Sequence, residues 1–439
     1  MLQTLRKAFQ VKEVRNKLLF TFMMLVVIRL GSQVPVPGVK TNFFANLFAN
    51  QSSDAFGFFN TITGGSFTNM SIFALSITPY ITSSIIMQLL TIAIPKLEEM
   101  QKEGEDGRKK IAEYTRYVTV GLALMQSIAM SVGFGGQGLL INYNAMNVIV
   151  AVVTMTAGSA MLMWIGEQIT EYGVGNGISI VLLFNIVSST PNDALTLFER
   201  FIKGKTVAVG VVYAIIIIAV IVAICVFTVY LQDAERRIPV QYSKKLQGRR
   251  MVGGQSTYIP LKVNTGGVIP VIFASSLMSF PVVIAEFFHV DYSTKLGQVL
   301  MFLNSGNWFR PEAPVYSIGL AVYILLIVVF AYFYTSITFN PLEVANNMKK
   351  SGGFIPGIRP GKPTSDYLNN MLNYIVLIGA VGLIIVCIIP IMVSGVFKVS
   401  RMSFGGTSLI IIVGVVLETI KAVQAQLLVR NYKGFLNEL

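Results

Sequence analysis

The sequence predicts an all-α polytopic membrane protein, and three observations predict it. Hydrophobic residues make up 54% of the 439 and charged residues only 13%, with a mean hydropathy of +0.66, a balance that suits lipid rather than water as solvent. Ten long apolar runs with little or no charge follow one another: Leu18–Gln33, Ile72–Ile94, Tyr117–Val132, Met146–Ile165, Gly173–Ser189, Thr206–Leu231, Val268–Phe288, Tyr316–Phe339, Leu368–Val393 and Ser408–Val429. Each is read as a transmembrane helix, the third and fifth being the weakest because they are short or glycine-rich. The third observation is charge. With the N-terminus inside, the cytoplasmic segments hold 25 of the 34 Lys and Arg, the outside segments hold 8, and Arg29 lies within the first span. That asymmetry orients the chain with both termini in the cytoplasm.

The basic residues of the N-terminal segment, Arg6, Lys7, Lys12, Arg15 and Lys17, alternate with Leu, Phe and Val at near-helical spacing, which suits an amphipathic helix on an anionic membrane surface. No cleavage pattern of small residues follows the first span, so no removable signal peptide is expected. The span ends at Pro35 and Pro37, which cannot continue a helix. The stretch Asn60–Ile94 then joins two unlike halves. Ile72–Ile94 carries no charge, whereas Phe56–Asn69 mixes aromatics with Thr, Asn, Ser and the pair Gly64-Gly65. The earlier piece is too polar and too short to span. It is either an interfacial loop or a re-entrant segment, and backbone of that kind is tolerated at membrane depth only inside protein or beside a water-filled cavity.

Between the second and third spans, KLEEMQKEGEDGRKKIAEYTR interleaves both charge signs and reads as a solvated helical hairpin tip. Gly166, Gly173, Gly175 and Gly177 crowd the junction of the fourth and fifth spans. No strand precedes them and no GK[ST] follows, so a tight cytoplasmic turn is expected rather than a phosphate loop. The cytoplasmic segment Gln232–Asn264 reads as two short strands flanking a basic tip, Lys244, Lys245, Arg249 and Arg250. A projecting hairpin of that charge suits docking to an anionic partner such as RNA or an acidic protein surface; a topology signal is the simpler alternative. In the loop Asn340–Asn370, the Gly and Pro content is expected to exclude regular helix. Arg359, braced by Pro356 and Pro360, is the candidate contact residue there. Cys225 and Cys387 fall inside spans and read as small apolar residues.

An internal repeat links the second and seventh spans. Pro79-Tyr80-Ile81-Thr82-Ser83-Ser84 and Pro270-Val271-Ile272-Phe273-Ala274-Ser275-Ser276 share Pro, Ile and a Ser-Ser pair with one residue of slippage, and each follows a Gly-Gly pair, Gly64-Gly65 or Gly266-Gly267. A separation of five helices implies two halves inserted in opposite orientations, facing one another across a midplane site. The prolines are expected to kink their helices. Ile77, Ile81, Ile85, Leu182, Ile186, Ile272, Ile410 and Ile411 face that midplane, with Ser, Thr, Asn and Gln the only polar company. A coupled-ion transporter needs ionisable groups at mid-depth, but Arg29, Glu167, Glu418 and Lys421 lie near span ends. A flippase for charged lipid precursors would want a basic cavity. An intramembrane protease is disfavoured because there is no GxSxG and the one histidine, His289, is badly placed. An apolar constriction that gates by excluding water fits best.

Five stretches carry a resemblance: SIFALSITPYITSSIIMQLL, MWIGEQITEYGVGNGISI, GRRMVGGQSTYIPLKVNTGGVIPVIFASS, GFIPGIRPGKPT and SFGGTSLIIIVGVVLET. In this order the chain resembles the SecY family of protein-conducting channels over essentially its full length. The resemblance implies ten helices in a clamshell of two pseudo-symmetric inverted halves, residues 1–200 and 201–439, without a catalytic site or cofactor. It implies a plug over 56–69, a short re-entrant helix that includes Phe58, Phe59, Asn60, Gly64, Gly65 and Phe67. Ile77, Ile81, Leu182, Ile186, Ile272 and Ile411 would form the pore ring, Leu182 standing where the family usually has isoleucine. Thr82 and Phe280 would face one another across a lateral gate, with Gln126 nearby. Lys244, Lys245, Arg249, Arg250 and Arg359 would meet the SecA motor ATPase or a ribosome. SecE and SecG would be the companion subunits, and the location a bacterial cytoplasmic membrane.

Overall fold

The computed structural model describes residues 9–41, 43–44, 60, 62–201, 207–242, 245–247, 250–252, 256–287, 294–304, 307–309, 314–397 and 406–436. Apolar backbone taken out of water must satisfy its own polar groups, and the helix does so within one segment. Each of the ten expected spans accordingly coincides with a helix. In chain order these are α1 (Lys12–Gly31), α2 (Thr78–Ala93), α4 (Glu105–Phe134), α5 (Ala145–Tyr172), α6 (Gly177–Phe201), α7 (Val207–Asp233), α8 (Ile269–Phe287), α10 (Ile318–Thr338), α12 (Lys362–Phe397) and α13 (Gly406–Leu436). Shorter helices intervene: α3 (Pro95–Lys102), α9 (Lys295–Leu303) and α11 (Pro341–Lys350). Among the described residues six helices are long and apolar enough to cross a membrane, or seven if α2 and α3, bent by 101°, count as one broken span. The first, fifth and seventh expected spans fall short of that test. α1 carries Lys12, Glu13, Arg15, Lys17 and Arg29, and the apolar parts of α6 and α8 are short.

The second span differs from its expectation. Residues 72–77 run as turns, and the helix begins only at Thr78. Ser76 holds a left-handed φ of +52°, and the Ile72 amide donates to the Val34 carbonyl at 2.9 Å. The apolar run is therefore spent on buried irregular backbone paired to the loop after α1, leaving a helix of 16 residues, about 24 Å long. Pro79 and Pro270 lie in the first turns of α2 and α8. They start these helices and do not kink them, since a missing N–H costs nothing where that group has no intrahelical acceptor.

Helices α1, α2, α4, α5 and α6 pack chiefly on one another, as do α7, α8, α10, α12 and α13. The two groups touch where α6 meets α7 and α13, where α1 meets α13, and where α4 meets α8. The glycine-rich junction is explained by close approach. A Cβ on Gly177 would lie 2.0 Å from the Gly166 carbonyl oxygen, so α5 and α6 could not meet there with any larger residue.

The expected hairpin is present as β1 (Glu235–Tyr242) and β4 (Ser256–Lys262), antiparallel in the register Ile238 to Ile259, with a small ribbon of β2 (Lys245–Gln247) and β3 (Arg250–Val252) between them. A third strand was not anticipated. β5 (Gly353–Phe354) from the loop Asn340–Asn370 pairs with the other edge of β1, Gln241 opposite Phe354. The exclusion of helix from Asn340–Asn370 was also too broad. Asn340 caps α11 by accepting from the amides of Leu342 and Glu343, and Pro341 occupies its first turn. Only the stretch between Lys350 and Lys362 is free of helix.

Candidate functional site

The six residues expected at the constriction come together. Ile77, Leu182, Ile186 and Ile411 are buried members of one apolar cluster, and Ile81 and Ile272 pack against it half-buried. They arrive from four places: the turn before α2 and α2 itself, α6, α8 and α13. The cluster thus straddles the two helix groups. Val268, Ile412 and Val415 extend it on one side, and Ile28, Ile62 and Phe73 on the other. Branched aliphatic side chains in this position offer a passing solute no hydrogen bond and hold no water, so ions face a desolvation barrier.

Beside the cluster lies the polar, glycine-containing segment. Asn60 and Ile62 are helical and residues 63–70 form successive turns; Phe58 and Phe59 lie outside the described residues. Phe67 is buried in a second apolar cluster with Phe44 and Phe134. The Asn60 side-chain oxygen accepts from the Thr68 amide at 3.4 Å and from the Thr68 hydroxyl. Gly64 and Gly65 hold φ of +63° and +85°, which glycine adopts without steric penalty. Beneath them runs a set of buried hydrogen bonds that the sequence did not disclose. The Asn185 amide donates to the Ser76 hydroxyl at 3.0 Å, and the Ser159 hydroxyl donates to the Ser76 carbonyl at 3.1 Å. All three residues are almost fully buried. The left-handed Ser76 is thereby held from α5 and α6 at once.

The repeated Ser-Ser pairs have matching roles. Ser83 donates to the Thr115 carbonyl of α4 at 2.7 Å, and Ser275 shares a 3.2 Å hydrogen bond with the Tyr323 hydroxyl of α10. Each helix of the repeat is tied to a neighbour in its own group. Among the described residues no hydrogen bond joins α2 to α8. Thr82 is half-buried and donates to the Thr78 carbonyl of its own helix at 3.0 Å, and Gln126 is half-buried on α4. Phe280 lies on α8, its side chain outside the described residues.

On the sheet side, Ile238, Val240 and Leu261 pack with Met348, Ile355, Leu368 and Leu372, so the two long loops share one small core. Arg359 is exposed at its rim. Its loop is braced by buried Ile355, by a hydrogen bond from the Thr364 hydroxyl to the Arg359 carbonyl at 2.8 Å, and by turns at Gly357 and Gly361. Lys245 and Arg250 lie on the β2–β3 ribbon, whereas Lys244 and Arg249 fall outside the described residues. The Arg237 guanidinium sits 4.8 Å above the Tyr258 ring and pairs with Glu235 at 2.7 Å.

A multi-pass helical protein with an apolar cluster at the meeting of two helix groups suits a gated membrane conduit. Known proteins narrow this further. The SecY family model matches residues 71–420. The chain is 45% identical to the protein translocase subunit SecY of Halalkalibacterium halodurans, over 99% of this chain and 100% of that one, and 44% identical to that of Streptomyces galbus over the same shares. Two solved structures share its fold. One, described as "The structure of a protein conducting channel", has a TM-score of 0.64 at 19% identity over 94% of this chain and 92% of its own. In the other, described as showing that the plug domain of SecY stabilises the closed state of the translocation channel, the score is 0.60 at 17% identity over the same shares. The chain belongs to the SecY family.

Proposed function

We propose that the chain is the central subunit of a protein-conducting channel, a passive gated pore through which unfolded secretory chains cross a bacterial cytoplasmic membrane. The observation that carries this is the single apolar cluster assembled from Ile77, Ile81, Leu182, Ile186, Ile272 and Ile411 where the helix groups meet. A translocating polypeptide presents charged, polar and bulky side chains in turn. A neck with fixed charges would hold some sequences and repel others, whereas aliphatic side chains grip none and close behind all.

The two helix groups act as pseudo-symmetric halves, residues 1–200 and 201–439, with the 56–69 segment as plug. The absence of hydrogen bonds between α2 and α8 among the described residues supports a side exit there for transmembrane segments, with Thr82, Gln126 and Phe280 along it. Both termini face the cytoplasm, in keeping with the basic residues there. The channel has no ATPase site, so the energy comes from a motor such as SecA or from a ribosome. Either would dock on the β2–β3 ribbon, with Lys244, Lys245, Arg249 and Arg250, and on Arg359. SecE and SecG complete the channel, and the exposed apolar faces, of which α7 is the most extensive, meet membrane lipids.

The test is crosslinking of a stalled secretory chain to cysteines placed at Ile81 and Ile272 in a chain whose Cys225 and Cys387 are replaced. Adducts at both positions, and none at exposed Leu325 on the lipid-facing side of α10, are expected. Adducts at neither ring position would refute the pore.

A further inference from the structure

Arg29 is the one charged side chain within the first apolar run, and the gating scheme above gives it no task. It stands in the last turn of α1, half-buried. Its Nη1 lies 3.3 Å from the Gly64 carbonyl oxygen and 3.4 Å from the Ser188 hydroxyl oxygen. The Ser188 hydroxyl has the Asn185 carbonyl at 2.8 Å as its nearer acceptor and the Gly64 carbonyl at 3.5 Å as the longer one, and its lone pairs accept from the guanidinium. A second, independent feature marks the same spot. A Cβ on Gly64 would come within 2.7 Å of the Ser188 hydroxyl and 2.8 Å of the Asn185 carbonyl, so this turn is pressed directly onto α6. Ile62, two residues earlier, is buried in the ring cluster. Hydrogen bonds from a cation to partly desolvated acceptors are stronger than neutral ones.

We propose that Arg29 is a positioning residue that pins the 62–70 segment to α1 and α6 through the Gly64 carbonyl and the Ser188 hydroxyl, and so keeps it against the apolar ring. The proposal rests on reading that segment as the plug. Every partner of the pin belongs to the first helix group. Parting α2 from α8 therefore leaves the segment in place, and its release requires the Arg29 contacts themselves to break.

The test uses the assembled channel complex in lipid vesicles, with amide hydrogen exchange and chloride flux measured on the same preparations. Arg29→Gln is expected to speed exchange of the 62–70 amides by about tenfold while α5 keeps its protection, the size expected for losing a charge-assisted hydrogen bond. Arg29→Lys, which retains a cation, is expected to restore much of the slow exchange, and Arg29→Gln to raise resting chloride flux. Unchanged exchange at 62–70 in Arg29→Gln overturns the pin. So does acceleration spread equally over α5 and α6, or exchange in Arg29→Lys as fast as in Arg29→Gln. Faster local exchange with unchanged chloride flux leaves the pin standing and overturns the reading of the segment as a seal.

Discussion

Replacing Ile81 and Ile272 together with Asn should wet the neck, and the size of the effect follows from burial. Full burial of an isoleucine side chain contributes about 1.5–3 kcal/mol. Both residues are half-buried against the cluster, so each contributes about 1 kcal/mol to the closed arrangement and the pair about 2 kcal/mol. Losing that shifts the balance between closed and open by about 30-fold. The introduced amides push the same way, because a carboxamide left without a partner in an apolar neck draws water in. The double change to Val removes one methylene at each site, about 0.8 kcal/mol in all at half burial, which is about fourfold. Chloride or proton flux through vesicles holding each resting variant separates the two. The Asn pair should leak several times faster than the Val pair and should pass chains with weak signal sequences more readily. Equal flux from the two pairs would refute the assignment of the seal to these residues.

Three further outcomes are expected. Deleting Gly57 to Phe67 should leave the helices assembled yet raise resting conductance and admit chains with defective signal sequences, as single-channel recording will register; a wild-type closed conductance would remove the plug from the scheme. Arg359→Glu should abolish motor-driven translocation in reconstituted vesicles without affecting membrane assembly, because a carboxylate at an acidic docking surface sets like against like. Gly177→Ala should lower thermal stability in detergent by about 3 kcal/mol or more, since the added methyl meets the Gly166 carbonyl at 2.0 Å and neither backbone can yield cheaply.

The positions of the helices were legible because long apolar runs with little or no charge admit little else in lipid, and the strands β1 and β4 because Ile-Pro-Val-Gln-Tyr and Tyr-Ile-Pro-Leu alternate beside turn residues. The six residues proposed for the ring stood out as types, through isoleucines at recurrent positions, but their convergence in one cluster depends on how four elements cross. What stayed hidden was tertiary. Nothing local announces that Ile72–Ile77 leaves the helix, since the cause is pairing with residues 34–36 and the bonds that Asn185 and Ser159 make to Ser76. β5 is two residues long and takes its strand character from β1. α11, by contrast, was legible and overlooked. Asn340-Pro341 is a helix-start signature, and the glycines that dominated the reading begin only at Gly352.

The distribution of polar contacts bears on how such a gate can move. The hydrogen bonds from Ser83 to α4, from Ser159 and Asn185 to Ser76, from Arg29 to Gly64 and Ser188, and from the Val174 amide to Thr21 all lie inside the first helix group. The Ser275–Tyr323 hydrogen bond, the bond from Tyr332 to the Asn373 carbonyl and the Lys421–Asp233 ion pair lie inside the second. The six residues proposed as the ring lie in the cluster where the groups meet and are all aliphatic. Separating the groups at this cluster therefore exposes apolar surface, at a cost that grows with area, about 25 cal/mol per Å² against water and far less against lipid or an entering apolar signal segment. Among the described residues no hydrogen bond joins α2 to α8, so none of their polar groups is stranded at the cost of about 1–3 kcal/mol that each would carry. An entering apolar segment can then replace the lost contacts nearly like for like. In the proposed channel, two groups each tied internally by hydrogen bonds and meeting at an aliphatic cluster would open for a hydrophobic sequence and close again on its release.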